Sequence, residues 1–228
     1  FSAANVVMMI FLSLYTIVDG MFISRLVGTL ALSAVNMSYP LNSLELALGI
    51  MLGTGASAVI AREMGAGEAE LARRDFSCVV TVAAAAGGVF ALAGNALLEP
   101  ILEALGTSAL QLPYAETYTR ILLWFAPALF LQTVFQVLFV TAGKPGLGLG
   151  TTVLGGVSNM VLDYWFMGPL EMGVAGAAVA TGVGYCIPAA AGLYYFLRPR
   201  DSALWFVSFR PRWAMLLHTC GNGSSEMG

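Results

Sequence analysis

Three carboxylates stand where a carboxylate is least expected. Asp19, Glu45 and Asp163 lie inside long apolar runs, whereas the other ten of the 13 acidic residues fall in loops or at helix and chain ends. A charge at the centre of a bilayer costs at least ~2.5–3.5 kcal/mol on insertion scales, so such a residue faces the interior of a bundle and is a functional candidate. No Lys or Arg lies at comparable depth to pair with it. Asn159 and Asp163 are four residues apart, which sets both side chains on one face of a helix. A carboxylate and an amide carbonyl on one face are hard oxygen ligands, suited to a proton relay or a small hard cation such as Na⁺. Thr181, in the following apolar run, can add a hydroxyl. Simpler readings stand beside these. Asn159 and Asp163 can hold helices together by hydrogen bonds. Asp19 can be an acid at a helix end near the membrane surface, and Glu45, which follows Pro40, can sit in a wet cavity.

The elements that would position these residues are set by composition. Apolar residues make up 58% of the 228 and charged residues 10%, against about 25% charged in an ordinary soluble domain. So few charges cannot cover a water-facing surface, and the expected partner is the lipid bilayer. Six segments reach the roughly 20 apolar residues of a spanning helix: 3–24, 31–60, 77–98, 117–142, 147–168 and 173–197. Runs of this length exceed a membrane strand, and helices satisfy their own backbone in lipid. The expected fold is all-α, a polytopic bundle of six transmembrane helices forming one lobe (1–198). An interfacial linker (199–213) follows, then the cut-short start of a seventh helix (214–228).

Charge orients this bundle. Arg62, Arg73, Arg74, Lys144, Arg198, Arg200, Arg210 and Arg212 fall on one side, and only Arg25 and Arg120 on the other. The positive-inside rule makes the first side cytoplasmic, with helix 1 starting there. The segment 62–75 reads as a loop with a short surface helix. The mixture of Arg with Trp205, Phe206, Phe209 and Trp213 in 201–213 suits a helix lying at the interface. Pro40, Pro127 and Pro188 fall within spans and predict kinks.

Several function classes are excluded or weakened. A net charge of −3 without a basic stripe argues against nucleic acid. Cys78, Cys186 and Cys220 are too scattered for a disulfide framework or zinc site and read as small packing residues. His218 is the lone histidine and reads as a packing or interface residue. The Gly-rich run at 53–58 mimics part of a dinucleotide fingerprint but lacks the strand that fingerprint needs. No nucleophile–base set or metal cluster appears in the spans, so an enzyme is not expected, nor an organic cofactor.

Four stretches carry a resemblance. LYTIVDGMFISRLVG (14–28) resembles the first helix of the multidrug and toxic compound extrusion (MATE) family. GIMLGTGASAVIAREMGAG (49–67) is similar to that family's G-x-G-x-S-x-x-x-(A/S)-R-x-x-G-x-G pattern. SNMVLDYWFM (158–167) and GVAGAAVATGVG (173–184) resemble its fifth and sixth helices. The resemblance implies an N-terminal six-helix lobe of a twelve-helix antiporter in the cell membrane. Such a protein exports a small lipophilic cation by alternating access as Na⁺ or H⁺ enters, with the C-terminal lobe of the same protein as its missing partner. It also implies a cation site in this lobe. Asp19, Asn159, Asp163 and Thr181 match its members, and they would be the metal ligands if Na⁺ is the coupling ion. Tyr118 corresponds to a further cavity residue. Glu45 is a cavity candidate only from its place inside an apolar span, after Pro40. A flippase for lipid-linked substrates, from the same superfamily, and a membrane assembly subunit without a transport cycle are the alternatives.

Overall fold

A computed structural model describes residues 2–198 and 203–224. The described residues form ten α-helices: α1 (Ser2–Phe22), α2 (Thr29–Met37), α3 (Tyr39–Gly65), α4 (Ala69–Ala96), α5 (Leu98–Ala104), α6 (Leu112–Trp124), α7 (Ala126–Thr141), α8 (Pro145–Met167), α9 (Gly173–Phe196) and α10 (Trp213–Ser224). A wide π turn, Ile23–Val27, joins α1 to α2. No strand occurs among the described residues. Helices α3, α4 and α9 are each long and apolar enough to cross a bilayer, and α6 with α7 forms a fourth such unit. Helices α1 and α8, of 21 and 23 residues, have the length of a span. With α2 leading into α3, the chain is an all-α polytopic membrane bundle of six rods.

Two of the expected spans are broken. The run 31–60 divides at Ser38, and the run 117–142 bends by 55° at Phe125. In each case the proline lies just beyond the break, at the second residue of the new helix: Pro40 in α3 and Pro127 in α7. The missing N–H costs nothing there, because the first turn of a helix leaves its N–H groups unpaired anyway. The Ser38 and Thr119 hydroxyls hydrogen-bond to each other at the first break. Pro188 behaves otherwise: it lies inside α9, which stays continuous for 24 residues.

The segment 62–75 is not a loop. Helix α3 runs on to Gly65, a short turn follows, and α4 begins at Ala69. The expected interfacial helix in 201–213 is also absent: residues 203–212 form no helix, and 201 and 202 lie outside the described residues, as do Arg200 and 225–228. The backbone here is taken up by the bundle instead. Phe206 N–H donates to Phe196 O (3.1 Å) and Val207 N–H to Ser77 Oγ (2.9 Å). Arg73 Nε donates to Ala203 O (3.0 Å), and its guanidinium lies 3.4 Å over the Trp205 ring. Phe206 packs against Phe76 (5.1 Å between centroids), inside an aromatic core that also holds Phe130, Phe135, Phe139 and Phe196. Phe206 and Phe209 pack against this core, and buried rings of this size contribute strongly to packing. Among the cysteines, Cys78 is buried and Cys186 and Cys220 are half-buried, all as free thiols.

Helix α10 crosses α3 at backbone contact distance. A Cβ on Gly55 would fall 1.9 Å from Thr219 O, and one on Gly223 would fall 2.0 Å from Met51 O. Small residues are what permit such an approach in a membrane bundle. Gly55→Leu is therefore expected to drive α10 off α3, at a packing cost of roughly 1–3 kcal/mol or more. Hydrogen exchange should read this as lost protection in 213–224 with α4 and α7 unchanged.

Candidate functional site

The site is built where α8 and α9 touch. Gly155 and Gly184 face each other so closely that a Cβ on Gly155 would fall 2.6 Å from Gly184 O. That approach brings the polar face of α8 against α9, and Asn159 Nδ2 donates to Thr181 Oγ1 (3.2 Å). Asn159 is 1% exposed and Thr181 4%. One turn along α8, Asp163 is completely buried. The same four-residue spacing that marks Asn159 and Asp163 in the sequence thus aims both at the helix interface.

Helix α1 packs along α8 and contributes Asp19. The Asp19 and Asp163 carboxyl groups lie within hydrogen-bonding reach of one another. Two ionised carboxylates have no proton to exchange. Asp163 Oδ1 and Oδ2, Asp19 Oδ1 and Asn159 Oδ1 accordingly have no donor among the described residues. The ion pairs among the described residues involve neither aspartate: Arg120, the cation on α6, is held by Glu116 at 2.5 Å. These four buried oxygens are thus acceptors without a donor, and no basic side chain among the described residues pairs with either aspartate.

Tyr118 of α6 is buried in an apolar group with Ile23, Leu122 and Met167. Its hydroxyl reaches Thr181 and lies in the field of both aspartates. Glu45 of α3 is also buried, but it does not join the aspartate pair directly. Tyr185 of α9 lies close enough to both Glu45 and Asp19 to feel each charge. Two residues of the site escaped the sequence reading, Tyr15 and Tyr185. Tyr15 reaches Thr181 and lies near Asp19, Tyr118 and Tyr185. The signal was present: Tyr15 precedes Asp19 by four residues and Tyr185 follows Thr181 by four, so each pair shares a helix face.

Beside these groups a cleft of about 380 Å³ opens between α1, α7, α8 and α9. Phe11, Tyr15 and Tyr185 give it aromatic walls, and Gln132, Asn159 and Thr181 give it polar atoms. Through Asn159 and Thr181 the cleft borders the hydrogen-bonded contact between α8 and α9.

A family model described as MatE matches residues 5–165, which takes in α1 to α7 and α8 through Asp163. The chain belongs to the MatE family. Its members are transporters and not enzymes. This MatE chain is 27% identical over 194 residues to the "Probable multidrug resistance protein YoeA" of Bacillus subtilis, a match covering 83% of this chain and 42% of that protein. It is 25% identical over 214 residues to the "FAD transporter" of Shewanella oneidensis, covering 90% of this chain and 47% of that one. Among solved structures it superposes on the inward-facing conformation of a multidrug resistance MATE family transporter of the MOP superfamily. The TM-score is 0.87 with 26% identity, over 93% of this chain and 48% of the other. The chain spans about half the length of the curated relatives it matches.

The unpaired carboxylates in this MatE bundle carry a stability consequence. Asp163→Asn supplies an N–H₂ donor to Asp19 and removes one of two facing charges. Leaving a buried acceptor without a partner costs about 1–3 kcal/mol. The variant is therefore expected to melt at a higher temperature than the parent in detergent near neutral pH, by an amount of that order. Acidification, which protonates the parent's pair, should narrow the difference.

Proposed function

We propose that this chain is the N-terminal lobe of a cation-coupled antiporter that exports lipophilic cations through the cell membrane by alternating access, with Na⁺ or H⁺ as the coupling ion. The observation that carries this reading is the set of donor-less oxygens on Asp19, Asp163 and Asn159. A proton shared between the two carboxylates satisfies one pair of oxygens. A Na⁺ ion gathers more of them, with the Thr181 hydroxyl as a further ligand, since hard cations take oxygen ligands. Either ion cancels a repulsion that burial makes severe. Neutralising the pair lets α1, α8 and α9 close on one another, with Gly20 and Pro188 taking up the bend. A cation shifts such an equilibrium only through unequal affinity for its two states, so cargo and coupling ion favour opposite states. Each charge crossing the membrane supplies about 2.3 kcal/mol per 100 mV.

The family match, the multidrug relative and the aromatic walls of the cleft support a lipophilic cargo. A carboxylate pair beside that cleft favours a cation over an anion such as FAD. Tyr118, Tyr15 and Glu45 would shape the cavity around the aspartates. The eight-to-two distribution of basic residues places the turn between α3 and α4 in the cytoplasm, and helix 1 starts from that side. The C-terminal lobe of the same protein would supply the facing wall.

The test is efflux of a fluorescent lipophilic cation from vesicles holding the full-length protein, driven by an imposed Na⁺ or proton gradient. Asp163→Asn and Asp19→Asn are each expected to reduce gradient-driven efflux to the level of empty vesicles. Efflux that survives both substitutions would show that the ion couples elsewhere. Transport of an anionic lipid-linked probe in place of the cation would favour a flippase.

A further inference from the structure

At the opposite end of the bundle lies a second pair of buried carboxylates. Glu63, in the last turn of α3, is 5% exposed, and Asp75, near the start of α4, is 1% exposed. The two side chains are within hydrogen-bonding reach of each other. A single Arg212 nitrogen serves both, 2.7 Å from Asp75 Oδ2 and 3.7 Å from Glu63 Oε1. Two negative charges thus share one positive charge. The remaining oxygens, Glu63 Oε2 and Asp75 Oδ1, are buried and have no donor among the described residues. An open pocket lined by Glu63, Arg212 and His218 lies beside the pair, so solution can reach Glu63.

Arg212 is the hinge residue between two differently held parts. Before it, residues 203–209 are fastened to α4 and α9 through Arg73, Ser77 and Phe196. After it, α10 begins, with Leu216 N–H donating to Arg212 O (3.1 Å). The other charged groups around the pair are accounted for. Arg62 of α3 and His218 of α10 line the same cavity. Arg73 is committed to Ala203 and Trp205, and Arg74 to Glu70 at 2.5 Å.

We propose that Glu63, buried against Asp75, is a second proton-binding site and that the proton competes there with Arg212, so that this contact works as a releasable clasp holding segment 203–212 and the start of α10 onto the α3–α4 turn. The sign follows from reciprocity: if Arg212 docking opposes proton binding, proton binding must weaken Arg212 docking by the same factor. The clasp is closed when Glu63 is ionised and loosens when Glu63 takes up a proton. It lies at the far end of the lobe from Asp19 and Asp163, and its working does not depend on their role in coupling.

Hydrogen exchange of segment 203–212, followed by mass spectrometry in lipid nanodiscs and corrected for the chemical exchange rate at each pH, tests the clasp. In the parent chain, protection should fall by roughly tenfold as acidification protonates Glu63, the change that one pK unit of competition produces. Glu63→Gln imitates the protonated acid and should give the low protection at every pH. Arg212→Gln changes a side chain that is 46% exposed, leaves the bundle folded, and should also give fast exchange without pH dependence. His218→Gln should keep the parent's pH response. Protection that is independent of pH in the parent overturns the proposal. So does a pH response that survives in Glu63→Gln or Arg212→Gln, or one that disappears in His218→Gln.

Discussion

Two carboxylates facing each other in an apolar bundle, with no cation between them, set the terms for the rest of this structure. Helices satisfy their own backbone, so in lipid the uncompensated polar groups are side chains, and here they concentrate in one place. Asp163 has no exposure and no donor for either oxygen among the described residues. Asp19 arrives on a different helix, 144 positions earlier in the chain. Bringing them together requires α1 to lie along α8, and α8 to lie against α9 at glycine-to-glycine distance. A bundle that only needed to be stable would have used an amide in place of one acid.

The lobe contains the same chemistry twice, resolved in two ways. Glu63 and Asp75 also meet as a buried pair, but Arg212 stands over them and half-answers their charge. Asp19 and Asp163 have no such partner. The difference is one of position. Glu63 and Asp75 sit where helices α3 and α4 turn, within reach of the arginine-rich segment that follows α9. The aspartates sit among α1, α6, α8 and α9, where a guanidinium would have to be carried into the bundle at high cost. An arginine therefore stands over one pair, and no basic side chain pairs with the other among the described residues.

Packing holds the two regions apart. Around Phe196, the rings of Phe76, Phe135 and Phe139 stack within 4.8–5.7 Å of its centroid, joining α4, α7 and α9 into one aromatic core. Around the aspartates the contacts are smaller and more polar: Gly155, Gly184, Asn159 and Thr181. Large rings interlock, whereas small side chains permit sliding and bending. The half of the lobe with the aspartates is packed through small residues, and the other half through interlocked rings.

Composition alone established that this is a helical membrane protein, because 10% charged residues cannot clothe a water-soluble surface. The i, i+4 spacing of Asn159 and Asp163 put them on one face, since helix geometry is local. The spacing of Tyr15 with Asp19 and of Thr181 with Tyr185 held the same kind of information. What local pattern could not supply was pairing across the fold. That Asp19 meets Asp163, that Tyr185 stands between Glu45 and Asp19, and that Arg212 reaches back to Asp75 depend on which helices are neighbours. The same holds for the failed expectations. Apolar runs do not reveal the breaks at Ser38 and Phe125, because both sides of a break are equally apolar. Nor could an aromatic, arginine-rich segment announce that it would fold onto Phe76 and Ser77 rather than form a helix on the membrane. Those choices are made by tertiary contacts, where burial of rings and capture of backbone N–H groups outweigh local helical preference.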